Sequence, residues 1–328
     1  MKKKVFILFG PTASGKTAII ENLMDFSIEV ISADSMQVYR GMDIGTAKPS
    51  LEERTVIPHH LIDIRNPDEK FNAGEFVRLA EEACLEADGR GALPLVSGGT
   101  GFYLSNLVFG LSEAPPSDEN LREKLKHELA ERGASFLMEE LSSVDPISAG
   151  RIHIKDEYRL LRALEVYRLS GRPLSSFSSP WNAGQKDNSK DRIIERPFHF
   201  FIVGLKRKRE ELYRRINERT AAMFRAGLPE EVRRLFKAGY TPSDPALRAI
   251  GYREFFIEQT DKDANGLKTW RLSDDMKGVE ALIAQNSRRY AKRQMTFFAS
   301  LPDVKWIECD DEKESIRLIR TELERFIN

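Results

Sequence analysis

Apolar runs of strand length recur along the chain, and stretches with helical periodicity separate the early ones. The apolar runs are Val5–Phe9, Glu29–Ser32, Leu61–Ile64, Leu93–Val96, Phe198–Gly204 and Val304–Ile307. The helical patterns between them include Ala73–Ala87 and Phe102–Phe109. Strands that alternate with helices indicate a parallel sheet with helices on both faces. The pattern therefore predicts an α/β core.

The alternation stops at Ala114-Pro-Pro-Ser-Asp118 and gives way to a stretch that is helical throughout. Its helices are predicted at Glu119–Arg132, Ala134–Ser142 and Asp156–Ser170, and a Ser-, Asn- and Lys-rich segment, Ser175–Asp191, is typical of an exposed linker. The next apolar run returns to the sheet, and long helices follow at Lys208–Ala226, Glu230–Ala238 and Ser273–Ser300. We predict a core of residues 1–112 and 197–328, with an all-helical domain inserted at 113–196.

A glycine loop joins the first strand to the first helix. It fits the pattern G-x-x-x-x-G-K-[ST] of the P-loop and consists of Gly10, Pro11, Thr12, Ala13, Ser14, Gly15, Lys16 and Thr17. The two glycines let successive N–H groups point at an anion, and the positive end of the helix dipole adds to their field. Lys16 supplies a mobile charge, and the Thr17 hydroxyl is placed to hold Mg²⁺. The loop therefore predicts a site for a phosphate or pyrophosphate ester, on a P-loop-type sheet.

Two further segments follow predicted strands at the edge where open α/β sheets bind ligands. Asp34 follows the second strand, where an acid serves as a Mg²⁺ ligand, a general base or the cap of a turn; the spacing leaves these roles open. Ser97-Gly-Gly-Thr-Gly101 ends another strand, where a nucleotide hydrolase often carries a magnesium-holding Asp. Here there is no acid, and Thr100 instead begins a helix, either as part of a tight turn or as the wall of a pocket.

The composition excludes several classes of protein. The 328 residues carry 51 basic and 51 acidic side chains, so no global field indicates a polyanionic partner. Cys84 and Cys309 lie in no C-x-x-C pair, which argues against a disulfide framework or a structural zinc and favours a reducing cytoplasm. The apolar run before the glycine loop is too short for a signal peptide or a membrane span. We expect a cytoplasmic monomer without a membrane partner; the absence of heptads argues only against a coiled-coil dimer.

Basic residues recur at helical spacing in two places. Arg151, Lys155, Arg159 and Arg162 are predicted to share one helical face. The second stripe has no intervening acid and comprises Gln285, Arg288, Arg289, Lys292, Arg293 and Thr296. Charge runs are usually solvated faces, but uncompensated ones favour a polyanion. The second stripe is therefore the better candidate for binding nucleic acid.

Several sequence blocks occur in a fixed order across nearly the whole chain. Besides the glycine loop they are Asp34-Ser-Met-Gln-Val-Tyr-Arg-Gly-Met-Asp-Ile-Gly-Thr-Ala-Lys-Pro49, Pro58-His-His-Leu-Ile-Asp63, Gly98-Gly-Thr-Gly101, Arg162-Ala-Leu-Glu165, Arg248-Ala-Ile-Gly-Tyr252 and Arg289-Tyr-Ala-Lys-Arg-Gln294. Together they resemble the bacterial tRNA dimethylallyltransferases, also called tRNA isopentenyltransferases. The glycine loop alone is shared with many kinases, whereas the long block from Asp34 separates this family from them.

The resemblance implies that a dimethylallyl group moves from dimethylallyl diphosphate to the exocyclic N6 amine of the adenosine on the 3′ side of the tRNA anticodon. It also implies that the inserted helical domain grips the anticodon stem. By the same resemblance Asp34 is the general base, Thr100 orients a substrate, and Arg219 stabilises the departing diphosphate beside the glycine loop and Mg²⁺.

The positions that match tRNA contacts of the family form a longer set. They are Asp34, Ser35, Met36, Gln37, Thr100, Arg122, Tyr158, Arg159, Leu160, Leu161, Arg162, Arg248, Ala249, Ile250, Gly251, Tyr252, Arg253, Arg288, Arg289, Lys292 and Arg293. The chain departs from the family pattern at Ile154, Lys155, Ser287 and Phe297, which we expect to lie away from the phosphate pocket and to affect only the grip on tRNA.

Two rival functions use the same glycine loop. A small-molecule or nucleoside kinase accounts for the loop but not for the missing acid at Ser97 or for the stripe Arg288–Arg293. A regulatory ATP-binding RNA chaperone leaves Asp34 and Thr100 without a role.

Overall fold

The computed structural model describes residues 2–177, 197–262 and 268–328. These residues fall into two compact units, one from residues 2–108 and 197–328 and the other from residues 109–177. Residues 178–191 of the predicted linker lie outside the described residues. Its first two residues, Ser175 and Ser176, belong to a short 3-10 turn, Leu174–Ser176.

The strands all belong to the first unit. In chain order they are β1 (Lys3–Phe9), β2 (Ile28–Ser32), β3 (His59–His60), β4 (Leu93–Gly98), β5 (Phe198–Lys206), β6 (Phe256–Lys262), β7 (Lys268–Leu272) and β8 (Lys305–Glu308). A parallel sheet contains all of them except β6 and β7, in the order β3-β2-β4-β1-β5-β8. The central strand β1 is covered on both faces, so Val5 to Phe9 are fully buried. The predicted α/β class is confirmed.

The helices are, in chain order, α1 (Lys16–Glu21), α2 (Leu51–Val56), α3 (Ala73–Gly89), α4 (Gly101–Phe109), α5 (Glu119–Val144), α6 (Pro146–Ala149), α7 (Glu157–Ser170), α8 (Arg209–Arg225), α9 (Leu228–Lys237), α10 (Met276–Phe298) and α11 (Glu312–Ile327). Side-chain caps fix several of their starts, because an aspartate or asparagine oxygen accepts a free N–H of the first turn. Such caps are Asn72 on α3, Asp118 on α5, Asp156 on α7, Asp275 on α10 and Asp311 on α11. Among the described residues, no helix has the length and apolar character that a bilayer crossing requires.

Helices α5 to α7 build the second unit around a core of leucines. Gly133 interrupts α5 with a φ of 81°, so the two helices predicted at 119–132 and 134–142 are confirmed as two segments that meet at this glycine. The core consists of Leu125, Leu137, Leu141, Leu160, Leu161, Ala163 and Leu164. In the sequence, this helical unit is therefore inserted between β4 and β5 of the sheet.

One strand prediction is wrong, and one pair of strands was not predicted. Leu61–Ile64 is not a strand, because Leu61 and Asp63 adopt φ values of 63° and 57°, and the short β3 lies just before them. Its apolar residues pack inward from a turn instead. The antiparallel hairpin of β6 and β7 escaped prediction, since its sequence alternates charged and apolar residues only weakly.

The sheet brings three loops to one edge. Phe9 pairs with Gly98, and Ser32 pairs with Ser97, so β1, β2 and β4 end at the same level. The glycine loop, the segment from Asp34 and the turn containing Thr100 therefore leave the sheet side by side. This edge, at the carboxyl ends of parallel strands, is where ligands bind in open α/β sheets.

Candidate active site

The glycine loop forms the tight curve that its sequence predicts. Gly15 has a φ of 103° and caps α1, a conformation that favours glycine. A Cβ on Gly10 would lie 2.7 Å from the hydroxyl of Ser14 and 3.0 Å from Leu205, so only glycine fits where the loop begins. The backbone can therefore wrap around an anion at the start of the helix.

Arginines and a glutamine hold the outer side of this loop. Arg207 donates to the carbonyl of Ser14 at 2.9 Å, and Arg215 donates to the carbonyl of Ala13 at 3.1 Å. The backbone N–H of Thr12 donates to the side chain of Gln294 at 3.0 Å. The loop is thus braced by residues that are nearly 200 positions or more away in the sequence.

Three charged side chains lie within electrostatic reach of one another beside the loop. The pKa of Lys16 is lowered to about 8, chiefly by burial and also by the charge of Arg219, while the charge of Asp34 opposes both. Burial also lowers the pKa of Arg219, again against Asp34. Lys16 donates to the carbonyls of Gly10 and Pro11 at 2.8 and 3.0 Å. Two cations that face one carboxylate leave a positive balance, which suits a polyanionic group.

Asp34 lies at the start of a turn, with one oxygen in use. Its Oδ1 accepts the N–H of Met36 at 2.8 Å, so the capping role is present. Across the described residues, no group donates a hydrogen bond to Oδ2. A carboxylate held by one oxygen with its second oxygen open can also accept a proton from a substrate.

Thr100 lies against the same turn. Its hydroxyl accepts the N–H of Ser35 at 3.1 Å, which ties the turn after β4 to the turn after β2. The two segments approach so closely that a Cβ on Gly98 would lie 2.1 Å from the carbonyl oxygen of Ala33. The pKa of the neighbouring Tyr290 is raised to about 12, chiefly by burial and also by the charge of Asp34, against the opposing effects of Arg293 and of hydrogen bonds to Gln294 and Thr100. Thr100 is thus both part of a tight turn and part of a pocket wall.

Two cavities meet at these residues. The larger has a volume of about 900 Å³ and contains the loop from Thr12 to Thr17, Arg219, Gly251 and Tyr290. The smaller has a volume of about 360 Å³ and lies between α1, β2 and α2, with a mainly aliphatic lining. Both are lined by Lys16, Thr17, Glu21, Asp34 and Gln37. A reactant in one cavity can therefore meet a reactant in the other beside the carboxylate.

Three predicted tRNA contacts follow Asp34 in the sequence and line the larger cavity. They are Ser35, Met36 and Gln37. Ser287 lines it too, so our expectation that all four departures from the family pattern lie away from the phosphate pocket is wrong for this residue.

In the helical unit, some matched positions are exposed and others are buried. Tyr158 is exposed, and the guanidinium of Arg122 lies 5.2 Å from its ring centroid. Leu160 and Leu161 lie in the leucine core and offer a partner almost no surface in this conformation. Their place among RNA contacts remains a prediction.

The first basic stripe does not form one helical face. Arg151 and Lys155 precede α7, in the turns after α6, so the prediction of a common helix is wrong for them. Arg159 pairs with Asp156 at 2.9 Å. Arg162 pairs at 2.9 Å with the buried Glu165, which Arg122 also contacts at 3.2 Å. Much of this charge is therefore used inside the unit.

The segment from Arg248 to Arg253 divides in the same way. Ala249, Ile250 and Gly251 line the larger cavity, whereas Arg248 and Arg253 are exposed. Tyr252 is fully buried, and its hydroxyl donates to Glu231 at 2.7 Å. The buried tyrosine anchors the segment to α9 through Glu231.

Glu231 is a supporting residue that the sequence did not reveal. It is buried on α9 and accepts the backbone N–H groups of Asp43, Ile44 and Gly45 at 3.0, 2.8 and 3.2 Å. Together with the hydroxyl of Tyr252, these donors satisfy the carboxylate. Its only sequence signal is an acid within the apolar face of an amphipathic helix.

The second basic stripe lies entirely on α10, as predicted. Arg289, Lys292 and Arg293 are exposed, and Arg293 lies over the ring of Tyr290. Arg288 instead donates to Asn217. Within the part of the chain that the structure describes, Arg289 and Lys292 have no acidic partner. Charge remains available here for a polyanion.

Comparisons with known proteins agree with this architecture. The family model described as IPP transferase matches residues 37–301. The chain belongs to the IPP transferase family. The resemblance to the tRNA dimethylallyltransferases is therefore confirmed.

Individual relatives match over most of their length. The tRNA dimethylallyltransferase of Geobacillus kaustophilus is 45% identical over 95% of this chain and 92% of its own length. The tRNA dimethylallyltransferase of Geobacter sulfurreducens is 41% identical over 97% of this chain and 96% of its own length. The crystal structure of the full-length tRNA isopentenylpyrophosphate transferase of Bacillus halodurans covers 99% of the chain and 98% of its own, with 34% identity and a TM-score of 0.64. The crystal structure of a eukaryotic dimethylallyltransferase acting on tRNA covers 95% of this chain and 75% of its own, with 26% identity and a TM-score of 0.72.

Proposed function

We propose that this member of the IPP transferase family moves the dimethylallyl group of dimethylallyl diphosphate to the N6 amine of the adenosine that follows the tRNA anticodon. The observation that carries the proposal is the meeting of a polar and an apolar cavity at Lys16, Thr17 and Asp34. A transferase that joins an apolar chain to a base needs both compartments, with the phosphate cradle and the proton acceptor where they meet.

The glycine loop binds the diphosphate of the donor. Its N–H groups and the start of α1 supply fixed partial charges, and Lys16 and Arg219 supply mobile ones. These groups stabilise the diphosphate as its bond to C1 of the allylic chain breaks and it leaves with the bonding electrons. The buried setting of Lys16 and Arg219, which lowers the pKa of both, strengthens their attraction for that charge.

Residues suited to Mg²⁺ lie beside the diphosphate site. Thr17 is an exposed residue at the start of α1 and, like Asp34, lines both cavities. Oxygen donors in a space that admits water fit Mg²⁺, which keeps several waters and binds phosphates through few protein ligands. Thr17 would hold the ion, and the ion would neutralise part of the charge that develops on the diphosphate.

Asp34 activates the acceptor. The lone pair of an adenine amine is delocalised into the ring, so the amine is a weak nucleophile until its proton is accepted. Oδ2 of Asp34 faces no donor within the described residues and takes this proton as the N6–C1 bond forms, while Oδ1 stays on the N–H of Met36. Thr100 fixes the turn that carries Asp34 and orients the base.

The RNA is bound by phosphate contacts and by removal of one base from its stack. Unstacking costs a few kcal/mol, which contacts elsewhere must offset. We assign those contacts to the exposed Arg289, Lys292 and Arg293 on α10 and to Tyr158 and Arg159 in the helical domain, residues 113–196. The protein works as a monomer in the cytoplasm, where tRNA and donor are found.

The direct test is transfer of label from dimethylallyl diphosphate to an anticodon stem-loop by purified protein with Mg²⁺. We expect label on the adenosine after the anticodon, and none when that adenosine is replaced by guanosine. A protein that releases phosphate from ATP and transfers no label would be a kinase or an ATP-dependent chaperone instead.

A further inference from the structure

The smaller cavity opens to solvent between two apolar side chains. Met24 is 61% exposed and Val56 is 63% exposed, although both line the cavity. Ile20, Val30, Pro49 and Ile57 line it further in. Exposed aliphatic side chains at the mouth of an aliphatic cavity indicate an apolar ligand, because each loses free energy while it faces water.

Away from the diphosphate end, where Lys16, Thr17 and Asp34 lie, several polar groups of this cavity already have partners within the protein. Glu53 accepts the N–H of Ser50, and the pKa of Glu21 is raised by burial and then by the neighbouring Glu53. A ring nitrogen of His59 pairs with the carbonyl of Ile57 at 2.6 Å. The contact surface for a ligand is therefore chiefly aliphatic.

The cavity is longer than a five-carbon chain. Thr17, at the diphosphate end, is four residues from Glu21 on α1, roughly 6 Å at the helical rise, and Met24, at the mouth, lies beyond the end of the helix in the turn that follows. A dimethylallyl chain spans three carbon–carbon bonds, roughly 4 Å, whereas a geranyl chain spans seven, roughly 9 Å. A five-carbon group attached at the glycine loop ends well short of Met24 and Val56.

We propose that the smaller cavity binds the prenyl chain of the donor and that the enzyme also accepts geranyl diphosphate, transferring its ten-carbon group to the same amine. The inference rests on the function proposed above. The chemistry is unchanged: the N6–C1 bond forms, the C1–O bond breaks, the diphosphate leaves with the electron pair, and the amine proton goes to Asp34. The second isoprene unit covers Met24 and Val56 at the mouth.

The test compares both donors as substrates for an anticodon stem-loop, with the two products separated by mass. We expect geranyl transfer with a kcat/KM within about tenfold of dimethylallyl transfer, because the added carbons fill aliphatic space that a five-carbon chain leaves open. Val56→Trp and Met24→Trp narrow the mouth at exposed positions that tolerate substitution. Each should lower the ratio of geranyl to dimethylallyl kcat/KM by at least about tenfold.

Leu51→Trp is the matched control, because Leu51 lies on α2 with Val56, is 77% exposed and does not line the cavity. It should leave the ratio unchanged. Dimethylallyl transfer without detectable geranyl transfer overturns the inference and spares the proposed function. An equal loss with both donors in the mouth variants overturns it as well.

A binding measurement separates the two claims if neither donor reacts. Calorimetry should then find tighter binding of geranyl diphosphate than of inorganic diphosphate, and Val56→Trp should remove the difference. That outcome rejects the transferase function and keeps the prenyl-binding cavity. Equal affinity for geranyl diphosphate and inorganic diphosphate would also reject the proposal that the smaller cavity binds a prenyl chain.

Discussion

Gln294 donates its side-chain amide to the backbone carbonyl of Gly99 at 2.7 Å, in a buried position. Its amide oxygen accepts the N–H of Thr12 at 3.0 Å. One side chain on α10 thus joins the glycine loop to the turn that carries Thr100, at the two strand ends where we propose that the diphosphate and the acceptor base meet.

Gln294→Leu should remove this connection while keeping most of the side-chain volume. The N–H of Thr12 and the carbonyl of Gly99 lose their partner, which costs about 1–3 kcal/mol of stability per buried group. Because both substrate sites shift, we expect kcat/KM for transfer to fall by about 10-fold to 100-fold. Gln285→Leu, an exposed position on the same helix, serves as the control. Equal activity of the two variants would mean that the connection does not position the site.

Glu231→Gln tests the support of the loop at 43–45. Glutamine keeps the size of the side chain but presents an NH₂ group to N–H donors, so we expect a loss of about 2–4 kcal/mol in the free energy of unfolding. The neighbouring Glu230 is exposed and pairs with Arg233, and Glu230→Gln should change stability by less than about 0.5 kcal/mol. Urea unfolding of both variants measures the difference. Similar midpoints would show that the buried carboxylate contributes no more than a surface one.

Arg289→Ala combined with Lys292→Ala should weaken stem-loop binding and flatten its salt dependence. Each phosphate contact contributes about 0.7–0.9 to the slope of log affinity against log salt, so loss of two lowers it by about 1.4–1.8. Lys313→Ala with Arg317→Ala removes two charges from α11, in an acidic stretch, and should leave the slope unchanged. A slope unaltered by the α10 variant would make that helix a solvated surface.

Glu29 gives the fold a pH dependence with a defined sign. The pKa of Glu29 is lowered to about 2, chiefly by hydrogen bonding to Arg90 and also by His60, while burial opposes both. Because the pKa of Glu29 is lower in the folded protein than its unfolded value of 4.5, the ionised carboxylate stabilises the fold at pH values above 4.5. This stabilisation is lost as the pH falls through about 2. Since Arg90 is half exposed, we expect Glu29→Gln to cost only about 1–3 kcal/mol at pH 7.

The cost of Glu29→Gln should shrink as the pH falls from 4.5 toward 2. Thermal unfolding across this range measures it. Glu139→Gln, at an exposed position, controls for loss of charge alone. A difference between the two variants that stays constant with pH would contradict the assignment.

The sequence predicted the elements whose determinants are local. The glycine loop is contiguous, and its strand and helix flank it directly, so motif and structure coincide. Gly133 divides α5 where a single glycine interrupts the helical pattern. The segment Leu61–Ile64 was wrongly predicted to be a strand. It is a turn with positive φ at Leu61 and Asp63, but its apolar residues give it the composition of a strand.

The site was predicted in part, since its remaining members come from distant positions. Gln294 is 282 residues from Thr12, and Glu231 is 188 residues from Asp43. No local pattern joins such pairs. A motif match also does not separate residues that face a ligand from those behind them, which is why Tyr252 and Leu160 share the matched positions with exposed neighbours. The smaller cavity, built from three elements, left no sequence signal.

The central claim is that Asp34 removes the proton of the acceptor amine between the two cavities. Single-turnover transfer by Asp34→Asn, with saturating donor and stem-loop, tests it most directly, together with the Kd of the stem-loop. Loss of a general base should slow the chemical step by about 10²-fold to 10⁴-fold, and the Kd should change by less than about threefold. A single-turnover rate close to that of the unsubstituted protein, with the loss confined to RNA binding, would contradict the account.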